Sequence, residues 1–213
     1  MLRCRWFLLL MAFSLVACET AYYNAWEKVG VHKRDILVDR IEDTQEAQED
    51  TQEQFRDALE QYRAVVNFEG GDLADLYEKL NGEFEASEAA AKKITDRVDA
   101  VEDVAKDLFT EWEKELDLYT NTSLRRSSEK QLASTRREYK NLINAMRKAE
   151  KSTVPVLNTL RDQVLFLKHN LNARAIASLK GELSTIDSEV SALVAQMQKS
   201  IEESNAFIGR LKQ

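Results

Sequence analysis

Turn-forming residues are scarce in this chain, with one proline and six glycines in 213 residues. A β-sandwich or an α/β enzyme needs far more turns than that. Aromatic residues are only 8 % while charged ones reach 31 %, the balance of long solvated helices. Imidazole is limited to His32 and His169. Neither follows a Glu by three positions, so the Glu-x-x-His pair of a di-iron bundle is absent, and so is a His-Glu-x-x-His zinc helix. Gly70-Gly71 reads as a turn, because no Gly-Lys-Ser/Thr follows to make a phosphate loop. Carboxylates crowd solvated faces so evenly that no pair stands out as acid and base. The residues argue against an enzyme and offer no cofactor or metal site.

Cysteine is equally sparse, and the two present, Cys4 and Cys18, frame an export signal. Arg3 and Arg5 give the first residues a positive charge. Trp6 to Ala17 is then twelve residues with Ser14 the only polar one. At about 1.5 Å per residue this covers roughly 18 Å, too short for a hydrocarbon core of about 30 Å. The run ends Leu15-Val16-Ala17-Cys18, which resembles the bacterial lipobox. The resemblance implies cleavage before Cys18 and acylation of that cysteine, with several acyl chains making the membrane anchor stable. Residues 1–17 then form the signal peptide, 18–25 a lipidated tether, and 26–213 a single elongated helical domain. Glu19 stands where Asp favours retention in the inner membrane of well-studied lipoproteins, which leans toward the outer membrane. Once Cys4 is removed and Cys18 acylated, no disulfide can form, and stability rests on packing.

Charge is divided along the chain. Residues 18–122 hold 28 acids against 12 bases, a net of −16, and residues 123–213 hold 16 bases against 9 acids, a net of +7. The simplest expectation is an acidic half folded back on a basic one. An exported chain of net negative charge argues against nucleic acid as a partner.

Apolar positions recur at alternating steps of three and four. The first segment, from about Tyr22 to Phe68, carries Leu37, Ile41, Thr44, Gln48, Thr51, Phe55, Ala58, Tyr62 and Val65. Its polar middle, Thr44, Gln48 and Thr51, sits where a tight coiled coil places Leu or Ile. Such a layer sets register more often than it binds a ligand. The second segment, about Leu73 to Tyr119, runs Leu73, Leu76, Leu80, Phe84, Ser87, Ala91, Ile94, Val98, Val101, Ala105, Leu108 and Trp112, with Asp72 as its cap and Gly82 its weak point. The third begins near Leu124 and continues Leu132, Thr135, Tyr139, Leu142, Met146, Ala149, Thr153, Val156 and Leu160. At Gln163 it stutters into Val164, Leu167 and Leu171. Pro155 either kinks this helix or starts a new one capped by Thr153. The fourth, from about Ala173, repeats Ile176, Leu179, Leu183, Ile186, Val190, Leu193 and Met197. These lengths and short turns predict an all-α fold, an elongated antiparallel bundle of three to four long helices with coiled-coil-like heptad packing, about 60–70 Å long.

Two charge runs and one apolar run are candidates for contact with other molecules. Glu42 to Glu60 holds eight acids against Arg56. Opposing it is a basic run containing Arg125, Arg126, Lys130, Arg136, Arg137, Lys140, Arg147, Lys148 and Lys151. The plain expectation is that the runs pair across adjacent helices; the functional one is a basic face for anionic lipid or a partner. Val164-Leu165-Phe166-Leu167 covers more than one helical face, so it is expected to be buried on several sides, or else to form a sticky end for self-association.

Several blocks are similar to one bacterial family. They are Lys28-Val29-Gly30 with Lys33-Arg34-Asp35-Ile36-Leu37-Val38, Val66-Asn67-Phe68 before Gly70-Gly71-Asp72, Ser123-Leu124-Arg125-Arg126, and the stretch from Asp162 through Val164-Leu165-Phe166-Leu167-Lys168-His169-Asn170 to Ile176. Together they resemble the family catalogued as domain of unknown function 2959, across nearly the whole chain after Cys18. The resemblance implies an exported, often lipid-anchored helical protein of Gram-negative bacteria and carries over no catalytic residue. The expected function is that of a structural or interaction protein. It would be held at the envelope through Cys18, face the periplasm, and meet a protein partner or a second copy. The alternative is a lipid-binding or curvature-sensing module acting as a dimer.

Overall fold

Packing of the heptad stripes produces five helices in the computed structural model, which describes residues 33–68, 70 and 72–212, with backbone alone at 173. They are α1 (Lys33–Val66), α2 (Leu73–Leu116), α3 (Thr122–Lys151), α4 (Thr153–His169) and α5 (Ala173–Leu211). The expected signal at 1–17, Cys18, the expected tether at 18–25 and His32 lie outside the described residues. α1 packs on α2 and α5, while α3 and α4 pack in succession against the same two partners. The result is four legs, with α3 and α4 as consecutive halves of the third. α2 alone, at 44 residues, spans about 66 Å at the helical rise.

Each turn is set by a short polar side chain. Asp72 caps α2, its carboxylate accepting from the Ala74 amide at 2.8 Å. Asn121 caps α3 through the amides of Ser123 and Leu124, and Asn172 caps α5 through those of Arg174 and Ala175. Each satisfies amides that the first helical turn leaves without partners. The third leg breaks where Pro155 was expected to act, but the cap is Ser152 rather than Thr153, and it makes no side-chain capping bond. The Ser152 hydroxyl donates to the Ala149 carbonyl at 2.6 Å and Thr153 Oγ1 to that of Glu150 at 2.7 Å. The break follows from the proline, which has no N–H to donate to Lys151 and whose ring crowds that carbonyl.

The seam matches the stripes closely. All nine positions read from the first segment are buried, including Thr44, Gln48 and Thr51. In this polar layer the Thr44 and Thr51 hydroxyls donate to carbonyls one turn back, at Arg40 and Ala47. Only Gln48 reaches across the bundle, its Nε2 donating to Ser200 Oγ on α5 at 3.0 Å. Its Oε1 has no hydrogen-bond partner among the described residues. With Gln45 Nε2 donating to the Ile201 carbonyl at 3.2 Å and to Asn205 Oδ1 at 3.0 Å on the partly exposed edge, the buried Gln48–Ser200 bond helps set the α1–α5 register at a cost in stability. Toward the far end, the Tyr62 hydroxyl donates to the Leu179 carbonyl at 2.8 Å. Burial, with Glu182 nearby, pushes that phenol well above its ordinary range.

The apolar run of the third leg corrects an expectation. Val164 and Leu167 are buried, but Leu165 is 52 % and Phe166 40 % exposed, and Leu171 also faces outward. Packing against α2 and α5 covers one side of α4 and leaves the opposite side in solvent.

The polar layer should cost stability. Gln48→Leu with Ser200→Ala is expected to stabilise the bundle by about 1 kcal/mol in urea unfolding, and a lower midpoint would contradict this. Gly82 is exposed within α2, and a β-carbon there meets nothing within 4 Å. Gly82→Ala should therefore add about 0.5–1 kcal/mol by the same measurement.

Candidate interaction faces

The basic run divides into two sets. Arg125, Arg136 and Arg147 turn toward acids, most of them on α2 or the turn after it. Arg125 meets Asp117 at 3.2 Å and Glu129 at 3.1 Å. Arg136 meets Glu113 at 2.5 Å while its guanidinium lies 5.2 Å from the Phe109 ring centre. This contact holds the Glu113 carboxyl below its usual range, so its stabilising effect is present above that range and fades as pH falls through the lowered value. Arg147 is the hub. It grips Glu102 with Nε at 3.1 Å and Nη2 at 2.6 Å, reaches Asp99 at 2.6 Å, and meets Glu150 at 2.9 Å. These partners, Glu102 first, raise the Arg147 pKa further. Beside them Phe109, Tyr139 and Phe207 form an edge-on aromatic chain with centroids 5.4 and 6.3 Å apart.

Arg126, Lys130, Arg137, Lys140 and Lys148 point the other way. With Lys151 they are exposed on the side of α3 opposite its buried stripe. None of these six forms an ion pair among the described residues. From Arg126 to Lys151 the row runs about 38 Å.

The acidic run does not meet the basic one, which corrects the pairing expected from sequence. α1 and α3 each pack on α2 and α5 and so occupy diagonal corners of the bundle. The acids that meet α3 are those of α2. On α1, Asp43 pairs with Arg97 at 3.1 Å and Asp50 with Lys93 at 2.9 Å, both on α2. Arg63 pairs with Asp187 of α5. Asp39, Glu46, Glu49, Glu53, Asp57 and Glu60 remain exposed without ion pairs among the described residues. One flank of the rod is therefore acidic and the opposite flank basic.

Exposed apolar groups gather on the third leg. Among the described residues, the large hydrophobic side chains left in solvent on helices are Leu124, Val154, Leu165 and Phe166, all on the third leg. Leu118, Tyr119 and Leu171 are exposed in the turns at its two ends. The apolar run at 164–167 is visible in the sequence, but this grouping is not, because it depends on which side of the leg faces solvent.

No constellation of catalytic type emerges among these residues. His169 is exposed at the end of α4. No group of three or more His, Cys, Asp or Glu is placed to hold a metal among the described residues. A cleft of about 730 Å³ near the start of α1 is open, lined in part by Lys33, Glu111, Trp112, Leu124 and Ser128. The Trp112 indole donates to Ser128 Oγ across it at 2.8 Å. Among the described residues no helix is long and apolar enough to cross a membrane.

Fold and faces together define an all-α rod whose legs commit one side each to packing and carry opposed charge on two flanks. The family model described as protein of unknown function, DUF2959, matches residues 22–211, and the chain belongs to that family. No curated protein and no solved structure matches it.

Paired and outward cations should behave differently. Arg147→Met is expected to cost about 1–2 kcal/mol in urea unfolding, because a network loses its shared donor. Arg147→Lys should recover less than half, since an ammonium cannot grip Glu102 with two nitrogens. Arg137→Met should stay within about 0.5 kcal/mol of the parent. Equal losses at positions 137 and 147 would contradict the division.

Proposed function

We propose that the chain is a lipid-anchored, periplasm-facing structural or interaction protein of the bacterial envelope, working through its flanks and without catalysis of its own. The observation that carries this reading is the separation of charge. A bundle built only to be stable gains little from placing six unpaired acids and six unpaired bases on opposite sides. Such an arrangement suits contact with something outside the chain. The lipobox-like Leu15-Val16-Ala17-Cys18 supports the anchor, and Glu19 in place of Asp favours the outer membrane. The helical domain starts a short distance after Cys18, so the anchor would keep one end of the rod near the bilayer. The partner at the flanks is a protein, a second copy or the membrane itself.

Metabolic labelling with radioactive palmitate tests the anchor. The parent chain should take label and sediment with the envelope, in the outer-membrane fraction. Cys18→Ser should take none and should not reach the outer-membrane fraction. An unlabelled parent, or label that survives the substitution, would overturn the anchor. Crosslinking in envelopes tests the interaction role. Partners should exceed those of an unrelated lipidated control, and their absence would count against it.

A further inference from the structure

The third leg carries two features that packing does not explain. Its solvent side holds the row from Arg126 to Lys151 with no ion pair among the described residues. The same leg and its end turns also carry all the exposed large hydrophobics among the described residues, while α1, α2 and α5 carry none. The cations alone would suit the acidic flank of a second copy. That occupant leaves Leu165 and Phe166 unexplained, because the α1 flank offers carboxylates and no apolar surface to receive them. One occupant suits both features, a surface with anionic charge above and hydrocarbon just below.

We propose that the α3–α4 flank docks lengthwise on an anionic lipid surface. Arg126, Lys130, Arg137, Lys140, Lys148 and Lys151 sit among the head groups, and Leu165 and Phe166 enter the acyl boundary beside them. Lys168, His169 and Arg174 are exposed a few residues further along the chain and add donors at the head-group level. Asp162 is the one acid on the exposed side of α4. Shallow insertion of apolar groups beside a basic face is how interfacial helices hold to anionic membranes. Each Lys or Arg near such a surface multiplies affinity about fivefold.

The chain's net charge of −7 is the obvious objection. Distance answers it. With helix axes 8–10 Å apart, diagonal corners put the α1 carboxylates about 20 Å from the α3 ammonium groups. Salt screens exposed charges beyond about 8 Å at physiological strength. The lipid surface therefore meets the basic flank while the acidic flank faces away. This inference does not rest on the Cys18 anchor, and it gives the rod a lying posture in place of one that projects from its tether.

The test uses the mature chain, residues 18–213 carrying Cys18→Ser, so that neither acylation nor the apolar signal contributes in any arm. Co-sedimentation is measured with phosphatidylcholine vesicles and with vesicles containing phosphatidylglycerol. At about 50 mM salt the phosphatidylglycerol vesicles should bind at least about tenfold more tightly, and the preference should vanish near 500 mM. Reversing Lys130, Arg137 and Lys148 to Glu should weaken phosphatidylglycerol binding by about 100-fold or more. Leu165→Asp with Phe166→Asp should weaken it about tenfold. Reversing Glu46, Glu53 and Glu60 to Lys on α1 should not weaken it, and circular dichroism melts check that each surface variant folds. Absence of a phosphatidylglycerol preference, or one that survives the α3 reversal, would overturn the proposal. So would salt-sensitive self-association without vesicles that either reversal abolishes, since the flank would then belong to a second copy. A failed anchor would show in palmitate labelling and leave these outcomes unchanged.

Discussion

Every leg of this bundle gives one stripe of side chains, spaced three and four residues apart, to a shared seam, and the rest of the molecule depends on that commitment. Residues 33–212 contain no cysteine, so no crosslink assists. Leu37, Ile41, Phe55 and Tyr62 on α1 meet Leu80, Ile94 and Val98 on α2 and Leu179, Ile186 and Leu193 on α5 in one continuous buried cluster. At about 25 cal/mol per Å² of apolar area removed from water, a cluster of this size outweighs anything the surface ion pairs contribute. The bonds of Gln48 to Ser200, Tyr62 to the Leu179 carbonyl and Gln45 to Ile201 and Asn205 cross from α1 to α5 and together favour the register in which these stripes meet.

A seam that uses one side of each leg leaves the opposite sides unconstrained by folding. Charge and exposed apolar groups are then distributed by something other than stability. The arginines that point sideways, at 125, 136 and 147, are absorbed by acids at the edges of the seam. Those that point outward are not. The break at Ser152 lets α3 end and α4 begin without leaving the leg, so the basic row and the exposed apolar end stay on one flank.

Much of this was legible before any coordinates. All nine positions of the first segment's stripe are buried, but Ile36, Val38, Ala47, Gln52, Leu59 and Val66 are buried beside them, because α1 packs on both α2 and α5 and buries a wider face than one stripe describes. The second segment shows the same widening on a smaller scale. Val104 and Phe109 are buried on α2 in addition to the predicted Val101 and Ala105, since α2 touches α1 and the third leg and buries a wider face than a single stripe describes. The charge runs stand out in the sequence, but their simplest pairing is not the one the fold makes. A bundle in which each leg lies beside its sequence neighbours puts its first and third legs on a diagonal, so the predicted topology already excluded the predicted pairing. The exposure of Leu165 and Phe166 was missed because an apolar run signals burial unless the number of neighbours around its helix is known. Family membership agrees with the resemblance of the 162–176 block, which speaks to kinship and says nothing of a role.

Separation of the acidic and basic flanks is the claim on which the functional reading turns. A zero-length carbodiimide crosslink of the monomer, mapped by mass spectrometry, tests it directly. Amide links should join Lys93 to Asp50 and Lys92 to Asp96, where ammonium and carboxylate already lie within 3 Å. None should join Lys130, Lys140, Lys148 or Lys151 to the α1 acids between Asp39 and Glu60. Links between those two sets within a single copy would place the flanks side by side and contradict the account.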